Sequence, residues 1–449
     1  MKLPALFLNS IKNAKGFDES SFVNTHESGE KITSIRMNPF KKSSLDFETN
    51  NRVDWCETGF YLNERPSFTF DPLFHAGSYY VQEAGSMFLE FALKNTVDLN
   101  QSIAVLDLCA APGGKSTLIN SLINDDSFLI SNEVIKNRAD VLAYNLSKWG
   151  TCNTAVTNCD PSVIGKLENV FDVVVADVPC SGSGLFRKQP EAIQEWSLDN
   201  VNLCSTRQKR IMADSISCLK PGGILIYSTC SYSVEEDEAV IEWMMKEFEL
   251  EYISLPVNKE WNIIESSPGY RFYPNRLKSE GFFCAVLRKT GVSHGHPNKS
   301  KKNIFEQASK KELTELQNQF EYHDFHTVFK FQSNFKLVNT ALYNFLNAFG
   351  SHLYFKKTGT TLGEFKHRDF LPDHELALSL YINKNTPKIE LNREQAIAFL
   401  KKENLQLEAQ KGIQLMCYKN LGLGWAKILD KRVNNYLPKE FRILSSEEN

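Results

Sequence analysis

Two cysteines stand in settings that suit a nucleophile. The apolar run Val170–Ala176 leads into Asp177-Val-Pro-Cys180-Ser-Gly-Ser-Gly184, and the run Gly223–Tyr227 leads into Ser228-Thr-Cys230-Ser231. Each thiol follows a strand-like run and sits among Ser, Gly and Pro, where a loop is expected. Either cysteine alone reads as a small buried core residue; two at matching strand ends point to chemistry. Such a pair suits methylation of a pyrimidine at C5. Carbon 5 of cytosine is a poor nucleophile. A thiolate adding at C6 makes C5 enamine-like and able to attack a sulfonium methyl; a proton then leaves C5 and the thiol is expelled. The thiol must ionise below its ordinary pKa of about 8.5. A carboxyl group near N3 or N4 of the ring stabilises the adduct, and Asp177 is placed for that role. Chemistry alone does not choose between Cys180 and Cys230.

A cofactor site is written into Val105-Leu-Asp-Leu-Cys-Ala-Ala-Pro-Gly-Gly-Lys-Ser-Thr117. An apolar strand ends at Asp107–Leu108, and a loop of small residues (Cys109, Ala110, Ala111, Pro112, Gly113, Gly114) opens a helix at Lys115. The glycines admit close approach of a ligand, and the helix start offers free N–H groups and a positive dipole. That suits a nucleotide-like cofactor bearing a carboxylate. The loop is not a Walker A motif, because Cys109 stands where the first glycine belongs, and no G-x-G-x-x-G fingerprint is present. Two carboxylates extend the site. Glu133 ends the strand-like run Phe128-Leu-Ile-Ser-Asn-Glu and can accept from ribose hydroxyls; Asp160 follows the run Thr154–Thr157 and can accept from an exocyclic adenine amine. Each alone reads as a solvated loop residue; at successive strand ends they converge on one crevice.

These residues need a frame, and the pattern between about 76 and 290 supplies it. Short apolar runs (Ile103–Leu108, Phe128–Ser131, Thr154–Thr157, Val170–Ala176, Gly223–Tyr227, Phe282–Leu287) alternate with helical stretches such as Lys136–Trp149 and Asp199–Leu219. That alternation predicts an α/β domain with a mostly parallel, doubly wound sheet. Residues 1–75 form an ancillary N-terminal unit, with strand-like alternation over Lys31–Phe40. Residues 291–303 read as a polar linker in which His294 and His296 are solvated rather than metal-bound. Residues 304–380 look α+β, and 381–449 hold a helix, Arg393–Asn404, followed by strand-like runs.

The chain has 449 residues, 42% of them hydrophobic and 23% charged, an ordinary soluble composition with room for about three domains. The net charge of −3 is unevenly spread: from Arg288 onward there are 25 Lys and Arg against 17 Asp and Glu, leaving the front acidic. A basic back half suits a polyanion. The ten cysteines contain no C-x-x-C pair, so no metal site or disulfide framework is expected, and a reducing cytoplasm fits. No run of about 18 apolar residues suggests a membrane span, Met1–Ser10 carries no signal-type cleavage site, and nothing demands more than a monomer.

Taken with Gln82-Glu-Ala-Gly-Ser-Met87, Cys109–Thr117, Asp177–Lys188, Tyr227–Tyr232 and Phe272–Lys289, the chain resembles the Sun-type (Fmu) family of RNA 5-methylcytosine methyltransferases. The resemblance implies a Rossmann-like domain with S-adenosylmethionine held by Cys109, Ala110, Ala111, Pro112, Gly113, Gly114, Lys115, Glu133, Asp160 and Asp177. It makes Cys230 the nucleophile, with Cys180 assisting release of the product. Ile35-Arg-Met-Asn-Pro-Phe and Leu3-Pro-Ala-Leu-Phe-Leu resemble the N-terminal α+β domain of the bacterial small-subunit rRNA branch. Leu391–Ala396, Gly422–Lys427 and Val433–Arg442 resemble its C-terminal PUA-like RNA-binding domain. That branch implies a cytosine in the decoding region of 16S rRNA as target, reached unpaired or flipped, with Arg187 and Lys188 against RNA phosphate and Lys115 near both cofactor and base. Three other readings stay open: a 5-methylcytosine methyltransferase acting on tRNA or DNA, a non-catalytic RNA-binding or ribosome-assembly protein, and, least supported, a P-loop NTPase.

Overall fold

The computed structural model describes residues 2–49, 51–291, 304–321, 323–367, 369–430 and 432–445. Most of the expected linker, with His294 and His296, lies outside them. All six apolar runs are strands of one sheet: β1 (Ala104–Asp107), β2 (Phe128–Asn132), β3 (Thr154–Thr157), β4 (Phe171–Asp177), β5 (Leu219–Thr229) and β6 (Phe282–Lys289), joined by β7 (Phe355–Thr358). Their order is β6-β5-β4-β1-β2-β3-β7. The central five are parallel, and β6 and β7 run antiparallel at either side.

Every residue of β1, β2 and β3 is buried, as expected for strands covered on both faces. The period of two splits β1 between the faces. Ala104 and Leu106 join one core with Met212 of helix α3 (Leu198–Ser215), Val240 of α4 (Glu238–Glu247) and Phe345 of α5 (Thr340–Phe349). Val105 joins the other, with Leu118 and Ile119 of α1 (Gly114–Leu122). Helix α2 (Lys136–Trp149) matches its sequence-predicted span; Gly150 in left-handed conformation ends it. The chain reverses direction across the sheet between β1 and β4. The carboxyl ends of these strands therefore flank the crevice where doubly wound sheets bind ligands.

Two boundaries differ from the sequence reading. The large sheet does not close at residue 290. β7, from within 304–380, pairs with β3, and Phe345, Leu346 and Phe349 of α5 enter the same core as β1 and β4. The physical reason is the open edge of β3, whose unpaired backbone groups β7 covers. Toward the N-terminus, Tyr79–Val81, assigned to the large domain, pairs with Thr33–Met37 in a four-stranded antiparallel sheet.

That small sheet braces the cofactor loop. Arg36 is fully buried. Its Nε donates to Gln82 Oε1 at 2.8 Å, and its guanidinium also donates to Thr117 Oγ1 and the Gly114 carbonyl on the first turn of α1. The motifs around Arg36 and Gln82 thus meet at one point. In the C-terminal part, helix Arg393–Lys401 starts on a reciprocal Asn392–Gln395 capping box and packs in a four-stranded sheet unit spanning Lys388 to Asn435.

Candidate active site

The β1–α1 loop turns on Gly113, at φ +116, a conformation open to glycine and strained for any other residue. Ser116 on α1 donates its hydroxyl to Asp107 Oδ2 at 2.7 Å, and Ser131 of β2 donates to Ser116 at 3.0 Å. The other carboxyl oxygen of Asp107, Oδ1, is buried with no hydrogen-bond partner. Burial pushes Asp107 up to about 7, against the opposing effects of Ser116 and Lys115. A buried, unsatisfied acceptor is costly unless a ligand completes it.

Lys115 Nζ lies 2.8 Å from Asp177 Oδ2 at the end of β4, and Ser228 at the end of β5 donates to Asp177 Oδ1 at 2.7 Å. Burial acts to lower the Lys115 ammonium, but the charge and hydrogen bond of Asp177, with smaller effects of Asp107 and Cys230, hold it above its ordinary range. Asp107, Ala110, Lys115 and Asp177, with Tyr80 and Gln82 of the N-terminal unit, line one cavity at the crevice. It offers the unpartnered Asp107 Oδ1, the Lys115 ammonium and the N-terminus of α1, groups that complement a zwitterionic amino-acid group.

Glu133 is buried; its Oε1 accepts from the Ile135 amide at 2.9 Å, and Arg138 lies 3.4 Å from Oε2. Asp160 sits further along the strand ends. Its Oδ1 accepts from Ser162 and caps the short helix Pro161–Gly165, and its Oδ2 is 3.9 Å from Arg210. Neither carboxylate lines the Asp107 cavity.

The two cysteines, 50 residues apart, bring their sulfurs to 2.9 Å, and both are free thiols. The hydrogen bond with Cys230, then burial, push the Cys180 thiol well above its ordinary range. Close packing sets the meeting point: the Gly184 amide donates to the Cys230 carbonyl at 2.8 Å, and a Cβ on Gly184 would stand 2.7 Å from that oxygen and 2.5 Å from the Gly281 carbonyl.

Arg187 departs from its expected place on an RNA-facing surface. Its side chain is buried, donates to the Glu30 carbonyl at 2.6 Å and lies 3.8 Å from Glu280. Packing of Phe7 and Phe22 from the N-terminal helices onto Phe186, Trp196 and Tyr232 covers this loop. Lys188 next to it is exposed. Sequence reasoning missed Asp107 as a ligand-facing carboxylate, although an acidic residue closing the strand before the glycine loop was a legible signal. It also missed Glu236, buried beneath both cysteine loops, for which no local signal exists.

Three family models match in order along the chain: the N-terminal domain of 16S rRNA methyltransferase RsmF over 3–84, 16S rRNA methyltransferase RsmB/F over 94–288, and the methyltransferase RsmF PUA domain over 386–443. Ribosomal RNA small subunit methyltransferase F of Shewanella woodyi is 33% identical over 438 residues, covering 91% of this chain and 90% of that relative. The chain belongs to the ribosomal RNA small subunit methyltransferase F family. The Aeromonas salmonicida member of the family is 31% identical with the same coverage. Among solved structures, a methyltransferase homolog protein from Pyrococcus horikoshii aligns with TM-score 0.54 and 30% identity, over 63% of this chain and 94% of its own. Membership makes the protein a methyltransferase with a PUA domain. Among the described residues no helix is long and apolar enough to cross a membrane.

Proposed function

We propose that this protein transfers a methyl group from S-adenosylmethionine to C5 of a cytosine in the decoding region of 16S rRNA, through a covalent bond from Cys230 to C6. The observation that carries the reading is the pair of free sulfurs 2.9 Å apart, beyond the strand ends that also present Asp177, ion-paired to Lys115 of α1. The relatives' names support a small-subunit rRNA substrate.

The residues fit the cofactor. The unsatisfied Asp107 Oδ1 would accept from its ammonium, Lys115 and the amides after Gly113 would hold its carboxylate, and Glu133 and Asp160 would take the ribose hydroxyls and adenine amine. S-adenosylmethionine, when bound, supplies a methyl group on a sulfonium and departs as the neutral thioether. Cys230 adds to C6 as the thiolate. The C5–C6 electron pair moves into the ring toward N3, where the Lys115 ammonium held by Asp177 would stabilise the developing negative charge while Asp177 would accept from the exocyclic amine. C5 takes the methyl. Once Cys230 is bonded to carbon, Cys180 gives its proton to solvent. Its thiolate then removes the C5 proton, the C5–C6 double bond re-forms, and Cys230 leaves as thiolate, restoring the starting pair. The net products are methylated base, thioether and one proton.

The test is tritium transfer from labelled S-adenosylmethionine to unmethylated small-subunit particles, with tRNA and duplex DNA alongside, followed by mapping of the labelled base. Label at a decoding-region cytosine is the expected result. Label only in tRNA or DNA overturns the substrate, and no label anywhere favours a non-catalytic RNA-binding role.

A further inference from the structure

Beneath the two cysteine loops lies a carboxylate that the chemistry above does not use. Glu236 is fully buried, and no lysine or arginine forms a described ion pair with it. Its Oε1 accepts from the Ser181 amide at 2.7 Å and from Gln208 Nε2 at 3.4 Å. Its Oε2 accepts from the Ser181 hydroxyl at 2.5 Å and the Ser231 hydroxyl at 2.7 Å. Ser181 follows Cys180 and Ser231 follows Cys230, so one carboxyl group grips the residue after each thiol. Gln208 also donates to the Pro179 carbonyl at 3.1 Å, and the backbone carbonyl of Glu236 accepts from Tyr227 at the end of β5 at 2.7 Å. The clamp is itself held from both strands.

We infer that Glu236 is a positioning residue that sets the distance between the two catalytic sulfurs and holds a buried negative charge beneath Cys180. The inference rests on the two-cysteine reading above. Burying a carboxylate without a cation costs several kcal/mol; four donors stabilise it, and burial still leaves Glu236 raised above its ordinary range. Its charge adds to the elevation of Cys180, after the effects of Cys230 and of burial. The other titratable groups around the pair are Lys115, ion-paired to Asp177, and Cys204, which feel the charge of Cys230, and Tyr227, which feels that of Cys180.

Geometry and charge are separable here. In Glu236→Gln the amide oxygen can take the place of Oε1, and the NH₂ can donate to the two serine hydroxyls, which rotate to accept. The clamp persists without its charge. Glu236→Ala removes both.

The experiment uses full-length protein, small-subunit particles and S-adenosylmethionine, and reads the SDS-stable protein–RNA adduct under turnover, with Cys180→Ala as control. Glu236→Ala should accumulate the adduct by roughly tenfold or more over the parent, because Cys180 no longer reaches C5. In a Cys230→Ala background, adding Glu236→Gln should move the pH midpoint of Cys180 alkylation by iodoacetamide down by about one unit, a shift that a merely structural residue would not produce. An adduct level equal to the parent's in folded Glu236→Ala, or an unmoved midpoint in Glu236→Gln, overturns the inference. If Glu236→Ala does not fold, the midpoint decides alone. Absence of adduct in the Cys180→Ala control would instead sink the two-cysteine reading itself.

Discussion

Cys180 and Cys230 are chemically equivalent in isolation and unequal in place. Their mutual hydrogen bond and burial push the Cys180 thiol well above its ordinary range, and Cys230 is the proposed attacking sulfur. Cys230→Ala should reduce methyl transfer by at least about 10³-fold while leaving S-adenosylmethionine affinity, measured by calorimetry, unchanged; retained transfer would contradict the assignment. Asp107 gives a pH signature. Burial pushes its carboxyl up to about 7, and the proposed pairing with the cofactor's ammonium needs it ionised. Cofactor affinity should therefore rise by up to about tenfold from pH 6 to pH 8, and Asp107→Asn should flatten that dependence. In the free protein the sign is opposite. The unfolded chain releases this proton near 4 and the folded chain keeps it to about 7, so this group's contribution to stability falls as pH rises through that window.

The strand ends need help from their neighbours to hold such geometry. Gly184 lets the loop after β4 lie against the Cys230 carbonyl. Gly184→Ala should force that loop away from β5 and lower transfer by about 10²-fold, with cofactor affinity little changed, as seen in single-turnover kinetics. Arg36 plays the corresponding part for α1. Replacing it as Arg36→Met strands Gln82 Oε1 and cuts the guanidinium's ties to Thr117 and the Gly114 carbonyl. Each buried group left unsatisfied costs about 1–3 kcal/mol, so a fall of several degrees in the thermal midpoint and weaker cofactor binding should appear together. A lower midpoint with unchanged cofactor affinity would mean that the small sheet does not brace the loop.

The terminal regions are tied to the methyltransferase body by contacts that run across the molecule. Phe399, Met416 and Tyr418 share a core with Phe68, Phe70 and Leu73, Tyr144 of α2 stacks on Phe441 at 3.7 Å, and buried Lys41 donates to the carbonyls of Ala76, Lys148 and Leu378. The PUA domain therefore presents its charge at a set position relative to the cysteines. Lys439 and Arg442 are exposed and lie close enough to Lys402 to lower its ammonium after the effect of burial. Replacing Lys439 and Arg442 with Ala should weaken binding to 16S rRNA and reduce the slope of log affinity against log salt by about two, read by filter binding. An unchanged slope would place the RNA elsewhere.

The alternation of apolar runs and amphipathic stretches determined the parallel sheet, because strands buried on both faces leave a period that local sequence carries. The small-residue loop before Lys115 and the loops bearing Cys180 and Cys230 were legible for the same reason: turn chemistry is local. The pairing of β7 with β3, the burial of Arg187 and the grip of Glu236 on two loops were not. Each joins residues far apart in the chain, Glu236 to Ser181 across 55 positions and Phe355 to Thr157 across nearly 200. An arginine in a polar loop reads the same whether it meets phosphate or a buried carboxylate, and only the packing of Phe7 and Phe22 over that loop decides. Sequence alone pointed to the residue types that could carry the chemistry; tertiary structure decided that the two thiols meet, because a 2.9 Å contact across 50 positions is encoded by no local spacing.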